Sequence, residues 1–207
     1  MPGPEPYLTV DGPGEAAFEV RGSSFVGRVA PAVGVEAAEA FIEGVRDGNA
    51  DASHNVPAYR VRAGGERGDL LREWSSDEGE PSGSAGKPAL NVLVRRELVN
   101  VAAVVTRQFG GTELGVGGLA RAYGRAVSMA VDDAGVVERE PHRQFTIGVA
   151  YDDSGTVRGV LESEGVEFEA DYAETARFEV RVPVGDTEAL LDRLRSATGG
   201  RAAIEAQ

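Results

Sequence analysis

Two glycine-rich polar blocks, about twenty residues apart, constrain the fold of this chain more than any other feature. The first, at 76–88, reads SDEGEPSGSAGKP, and the second, at 107–123, reads RQFGGTELGVGGLARAY. Glycine is costly to order and packs no side chain, so glycines beside charged residues indicate backbone that approaches another group closely. Because a helical pattern follows each block, we expect its backbone N–H groups to face an anion at a helix start.

The composition is that of a globular protein. At 207 residues and 42% hydrophobic content, the chain can hold one large or two small domains, each with a core. The absence of cysteine excludes disulfides, thiolate metal sites and a cysteine nucleophile. No apolar run has the length of a membrane span, and the first residues lack the pattern of a signal peptide. We therefore predict a cytoplasmic protein with no membrane contact.

The chain is strongly acidic, with a formal net charge of −13 and Lys87 as its single lysine. A salt-rich cytoplasm favours such a surface, because salt screens the repulsion among carboxylates while the carboxylates keep the surface hydrated. This pattern predicts a halophilic archaeal source, and the alternative is an ordinary acidic protein.

One segment, residues 87–131, departs from this acidity, since it carries six cations against only Glu97 and Glu113. The cations are Lys87, Arg95, Arg96, Arg107, Arg121 and Arg125. A basic segment in an acidic protein is a candidate anion-binding surface. The alternative is that these side chains pair with the surplus carboxylates of the same chain.

Hydrophobic periodicity predicts an α+β protein with two domains. Residues 1–16 are rich in Pro, Gly and Glu and are predicted to be flexible. In the first domain, 17–136, the predicted strands are 18–20, 25–30, 56–61, 70–74 and 99–109. Its predicted helices are 35–46, 85–96 with Ser84 as N-cap, and one with an apolar stripe from Leu119 to Val131.

The second domain is predicted to span 143–207, after a linker at 135–143. Its elements follow the order strand, helix, strand, strand, helix, strand, with Asp186 as a candidate N-cap of the second helix. This β-α-β-β-α-β order predicts a ferredoxin-like fold.

The two blocks resemble the motifs of the IMPACT (YigZ) family. Asp77 to Pro88 fits the family pattern D-x-G-E-P-x-G-[ST]-A-G-K-P, and Arg107 to Tyr123 fits R-x-[FY]-G-G-x-x-L-G-x-G-G-L-x-[RK]-A-Y. The resemblance covers residues from about 20 to 132. It implies, for the first domain, the fold of the second domain of ribosomal protein S5. It also implies a role in translation, because the eukaryotic member of the family relieves translational repression by competing for the activator of a kinase.

Candidate catalytic groups are few. Asp77, Glu80 and His54 offer acid–base chemistry, although a solvated turn and a hydrogen-bonded structural histidine are the alternatives. No metal site is predicted. No cofactor is predicted either, since Pro81 and Pro88 stand where a phosphate-binding loop requires glycine and Ser or Thr.

The predicted anion-binding residues are the cations and glycines of the two blocks, with Arg121 and Arg125 projecting together from one helix face. They are Gly83, Ser84, Gly86, Lys87, Arg107, Gly110, Gly111, Gly115, Gly117, Gly118, Arg121 and Arg125.

Two functions are compatible with these residues. The first is a regulatory module of translation that binds RNA, a ribosomal component or a protein partner through glycine-rich loops. The second is a hydrolase acting on a small phosphorylated or carboxylated compound, with Asp77, Glu80 and His54 as acid–base groups and nearby cations as anion clamps. A deep pocket lined by both blocks would favour the enzyme.

Overall fold

The computed structural model describes residues 6–63, 70–173 and 175–206. The chain divides into two compact units, one of residues 7–139 and one that contains residues 140–206. Both mix helices with antiparallel sheet, which confirms the predicted α+β class.

The first unit is built on a five-stranded sheet. Its strands are β2 (Gly14–Val20), β3 (Ser23–Pro31), β4 (His54–Ala63), β5 (Leu70–Ser75) and β6 (Val101–Gln108). They pair antiparallel in the order β2-β3-β6-β4-β5. The central strand β6 is buried from Val101 to Arg107, as its nearly continuous apolar sequence predicts.

Two helices, α2 (Gly86–Arg95) and α3 (Gly115–Ala134), pack on one face of this sheet and form the main core with it. All seven residues of the predicted apolar stripe of α3 are buried, from Leu119 to Val131. The helix begins four residues before that stripe, at Gly115. A third helix, α1 (Val35–Asp47), covers the opposite face, where Ile42 joins a smaller core with Tyr59 of β4.

Two predictions at the ends of this unit are wrong. Residues 7–10 form strand β1 (Tyr7–Val10), and β2 begins at Gly14, so the described part of the segment predicted to be flexible is largely strand. Residues 1–5 of that segment lie outside the described residues. The predicted linker contains β7 (Val136–Arg139), which pairs antiparallel with β1. Neither β1 nor β7 has an alternating apolar pattern long enough to be recognised in the sequence. Both segments are strands because they pair with each other.

The second unit has the predicted ferredoxin-like arrangement. Its elements are β8 (His142–Ala150), α4 (Ser154–Ser163), β9 (Phe168–Tyr172), β10 (Thr175–Pro183), α5 (Thr187–Ala197) and β11 (Ala203–Ala206). The sheet order is β11-β8-β10-β9, fully antiparallel. Alternate residues of β10 are buried from Ala176 to Val182, because one sheet face packs on the two helices. Asp186 precedes α5, as predicted, but its side chain makes no cap bond.

Candidate functional site

The carboxylate of Asp77 organises the first glycine block. One oxygen accepts the backbone N–H groups of Ala85 (3.0 Å) and Gly86 (2.8 Å), and the other accepts that of Gly83 (2.7 Å). Partial burial disfavours the charged carboxylate, but these three donors outweigh it and hold the pKa of Asp77 below its ordinary value of 3.8. Asp77 therefore satisfies backbone donors at the start of α2.

The predicted N-cap, Ser84, does not cap α2, because its hydroxyl donates to a carbonyl oxygen of the same loop across 2.6 Å. Gly86 lies so close to Ser76 that a Cβ atom on Gly86 would overlap the Ser76 backbone. Glycine at position 86 thus allows two segments of the same chain to pack closely, with Gly86 against Ser76. The N–H groups of Gly83 and Gly86 are bonded to Asp77, which gives them a structural role in place of the predicted anion contact.

A buried polar cluster centres on Glu80. Its Oε1 atom accepts a bond from Arg107 Nη1 at 2.5 Å and from the Tyr123 hydroxyl at 2.7 Å. The side chains of Glu80 and Arg107 are only 4% and 5% exposed. Burial, reinforced by the bond to Glu80, raises the pKa of Tyr123 well above its usual range. The cluster joins the first block to β6 and α3 through three hydrogen-bonded side chains, while the buried Nε atom of Arg107 has no hydrogen-bond partner among the described residues.

His54 lies at the edge of this cluster. Its Nδ1 atom is 2.9 Å from the carbonyl oxygen of Glu78, and its Nε2 atom is 3.9 Å from Oε1 of Glu80. The structure therefore brings His54 and Glu80 together, while Asp77 points its oxygens at the start of α2. In the described part of the chain, no group of three or more His, Asp or Glu side chains is arranged to hold a metal ion.

The six cations of the basic segment divide into two sets. Arg107 pairs with Glu80, and Arg96 pairs with Asp132 at 2.6 Å. Among the described residues, the other four make no ion pair with a carboxylate: Lys87, Arg95, Arg121 and Arg125. Because Arg107 is buried, it cannot serve as the anion clamp that its position in the motif suggests.

An arginine groove of about 400 Å³ lies between the β2–β3 hairpin and the first half of α3. It is lined by Phe18, Val20, Arg21, Leu114, Gly118, Arg121, Ala122 and Arg125. The guanidinium carbon of Arg125 lies 4.4 Å from the centre of the Phe18 ring, a cation–π contact. Three arginines and no carboxylate make this groove locally basic.

The glycines of the second block have separate positions. Gly110 donates its N–H to Ser23 Oγ across 3.1 Å, and Gly118 lines the arginine groove. Gly110, Gly111, Gly115 and Gly117 are exposed. Of the first block, Lys87 is exposed. No residue of the first block lines the arginine groove, so this groove does not bring the predicted anion-binding residues of the two blocks together.

Sequence reasoning missed two groove residues, Arg21 and Phe18. Arg21 occupies the turn between β2 and β3, outside both glycine blocks. The signal that could have identified Arg21 is its residue type. In a two-residue hairpin turn whose second residue is glycine, the first residue is usually asparagine or aspartate.

Comparison with known proteins agrees with this architecture of an α+β unit followed by a ferredoxin-like unit. Residues 21–131 match the Impact N-terminal domain, and residues 147–201 match DUF1949, a domain of unknown function. The chain belongs to the IMPACT family, as its two blocks predict.

Relatives match over nearly the whole chain. The protein is 36% identical over 200 residues to the IMPACT family member YvyE of Bacillus subtilis, covering 96% of this chain and 90% of that protein. It is 33% identical over 180 residues to the IMPACT family member YigZ of Escherichia coli, covering 86% and 87%. A crystal structure of a hypothetical protein is similar at a TM-score of 0.69 and 31% identity, over 98% of both chains. In the described residues, no helix is long and apolar enough to cross a membrane.

Proposed function

We propose that this protein is a cytoplasmic regulatory module of translation that binds RNA or a ribosomal component through the arginine groove. The observation that carries the proposal is the groove itself, where Arg21, Arg121 and Arg125 converge without an acidic neighbour in its lining. In a chain with a net charge of −13, such a surface is the place where an anionic partner meets attraction. A protein partner in translation control is compatible with the same surface.

Catalysis has less support, because the candidate carboxylates are already engaged. Asp77 accepts three backbone bonds, and Glu80 is buried against Arg107 and Tyr123. A hydrolase would need one of these groups free to take a proton from water or substrate. The arginine groove is lined by residues of the second block and by none of the first, so it is not the pocket lined by both blocks that would favour an enzyme, and we do not propose a reaction.

The test is a titration of fluorescent single-stranded RNA with wild-type protein and two variants at several salt concentrations. Arg121→Ala removes a groove cation, and Arg95→Ala removes an exposed cation of α2 outside the groove lining. We expect Arg121→Ala to lower the slope of log K against log salt by about 0.7, the value for one lost phosphate contact on a single strand. Arg95→Ala should keep the wild-type slope. If no RNA and no ribosomal subunit binds at any salt concentration, the proposal is wrong.

We also propose that the acidic surface is an adaptation to high intracellular salt. Salt at about 1 M reduces the Debye length to about 3 Å, which removes repulsion between surface carboxylates. The melting temperature should therefore rise between dilute buffer and about 2 M KCl. A melting temperature that is unchanged or lower in KCl would indicate an ordinary acidic protein.

A further inference from the structure

We infer that the arginine groove is a sequence-neutral clamp for the phosphate backbone of a nucleic acid strand, with Arg21 as its third cation. This inference rests on the proposed function, and it adds both the recognised chemical group and a residue outside the family motifs.

The first step concerns the backbone of the β2–β3 turn. Arg21 and Gly22 join the two strands, and both have positive φ values, 49° and 81°. Asparagine, aspartate and glycine adopt this left-handed conformation at low cost, whereas arginine is strained there. The turn itself therefore does not explain an arginine at position 21. Its place in the groove lining does, because backbone strain kept at one position is characteristic of functional sites.

The second step concerns what holds the turn in place. Gly110 of the second block packs directly on Gly22, where a Cβ atom on Gly110 would overlap the Gly22 carbonyl group. The Gly110 N–H also donates to Ser23 Oγ, at 3.1 Å. The second glycine block thus fixes the hairpin turn next to α3. Its effect is to place Arg21 in the same groove as Arg121 and Arg125.

The third step concerns the hydrogen-bonding chemistry of the groove. Apart from its three arginines, the side chains that line it are apolar: Phe18, Val20, Leu114 and Ala122. Arginine only donates hydrogen bonds, and phosphate oxygens only accept them. Reading the amino groups of adenine or cytosine requires acceptors, which no side chain of this lining supplies. The groove therefore suits phosphates better than the edges of adenine or cytosine. Because arginine can also donate to O6 and N7 of guanine, guanine is the base that tests sequence neutrality.

The aromatic ring of the groove also has a partner already. Phe18 stacks on Phe25 with ring centres 5.4 Å apart, and Arg125 lies over its ring at 4.4 Å. Its role is to hold the Arg125 guanidinium in place, instead of receiving a base. Without a stacking platform or a side-chain acceptor for the 2′-hydroxyl, the clamp should bind RNA and DNA strands alike.

The experiment compares wild type with Arg21→Asn in full-length protein. Asparagine is favoured in this turn, so the variant should fold with unchanged or higher stability while losing the guanidinium. Arg95→Gln is the matched control, because it removes the same charge from an exposed site outside the groove lining. The probes are fluorescent 12-mers of oligo-U, oligo-A, oligo-C, a guanine-containing RNA and oligo-dT, together with inorganic polyphosphate.

We expect wild type to bind all five strands within threefold of one another. Arg21→Asn should weaken each about fivefold at 0.1 M salt, which is the loss of one phosphate contact. Arg95→Gln should leave the affinity for every strand unchanged. If Arg21→Asn fails to fold, Arg21→Gly provides the same test, since glycine also accepts the turn.

The outcomes separate this inference from the proposed function. A preference of more than tenfold for one base, or for RNA over DNA, would overturn the sequence-neutral clamp while leaving RNA binding intact. Unchanged binding by Arg21→Asn would exclude Arg21 from the clamp. If polyphosphate binds through Arg21 but no strand does, the groove recognises phosphate alone, and both the nucleic acid clamp and the RNA proposal are wrong. If neither polyphosphate nor any strand binds, both are wrong.

Discussion

The hydroxyl group of Tyr123 in α3 donates a hydrogen bond to Glu80 of the first glycine block across 2.7 Å, in the buried core of the first unit. This bond joins residues that are 43 positions apart in the sequence. Burial and the neighbouring carboxylate raise the pKa of the tyrosine, so its hydroxyl stays protonated throughout the physiological range. The bond therefore acts as a fixed structural link that is insensitive to physiological pH.

Replacing Tyr123 by phenylalanine should lower the free energy of unfolding by about 2 kcal/mol, because Glu80 loses one of its two close donors. Urea unfolding measures the change. Tyr59→Phe is the matched control, since Tyr59 is also buried but its hydroxyl makes no hydrogen bond within the described residues. Equal effects of the two substitutions would show that the bond to Glu80 contributes nothing specific.

The pair of Glu80 and Arg107 should behave as one unit. Arg107→Met leaves the Glu80 carboxylate buried without its cation, and we expect a loss of about 3–5 kcal/mol. Adding Glu80→Gln should recover part of that loss, because glutamine carries no charge and still accepts from Tyr123. A double-mutant cycle by urea unfolding measures the coupling. Strictly additive effects would contradict the pairing.

The sequence predicted most of the fold because the strong patterns are local. The stripe from Leu119 to Val131 and the apolar run of β6 each signal their element within one stretch of chain. Strands β1 and β7 could not be recognised in this way. Each has four residues, and each exists because residues from the two ends of the unit pair with one another.

The candidate site was harder to predict, because the role of a charged residue depends on what surrounds it. Arg107 and Arg121 look alike in the motif, yet one is buried against Glu80 and the other lines an open groove. Asp77 looks like an acid–base group until its distances to the backbone of the next helix are known. Burial and pairing of this kind are tertiary properties, which spacing in the sequence does not report.

Because of Asp77, the stability of the folded protein should depend on pH in the acidic range. Its pKa is lowered in the folded protein, so the unfolded chain binds the proton more readily, and the contribution of Asp77 is lost as pH falls through the folded pKa. Wild type should therefore lose stability more steeply than Asp77→Asn below about pH 4, near the unfolded pKa of aspartate. Thermal unfolding from pH 6 to pH 3 measures the two slopes.

Asp77→Ala tests the same carboxylate at neutral pH. It removes the acceptors for Gly83, Ala85 and Gly86 together, and we expect a loss of about 1–2 kcal/mol, similar to the loss of an N-cap side chain that accepts from the first N–H groups of a helix. Parallel pH profiles for wild type and Asp77→Asn, with a neutral effect of Asp77→Ala, would show that the carboxylate does not hold the loop.

Alanine should have opposite effects on stability at Gly110, which packs on Gly22, and at Gly44, which has no atom near its missing Cβ. A methyl group at Gly110 would overlap the Gly22 backbone, so Gly110→Ala should destabilise the protein by about 1–3 kcal/mol. Gly44 lies within α1 with no atom near its missing Cβ, so Gly44→Ala should stabilise the protein by about 1 kcal/mol. Melting temperatures of the two variants should thus move in opposite directions. If the melting temperature of Gly110→Ala also rises, the second block does not need glycine at this contact. The contact then does not hold the hairpin turn that carries Arg21.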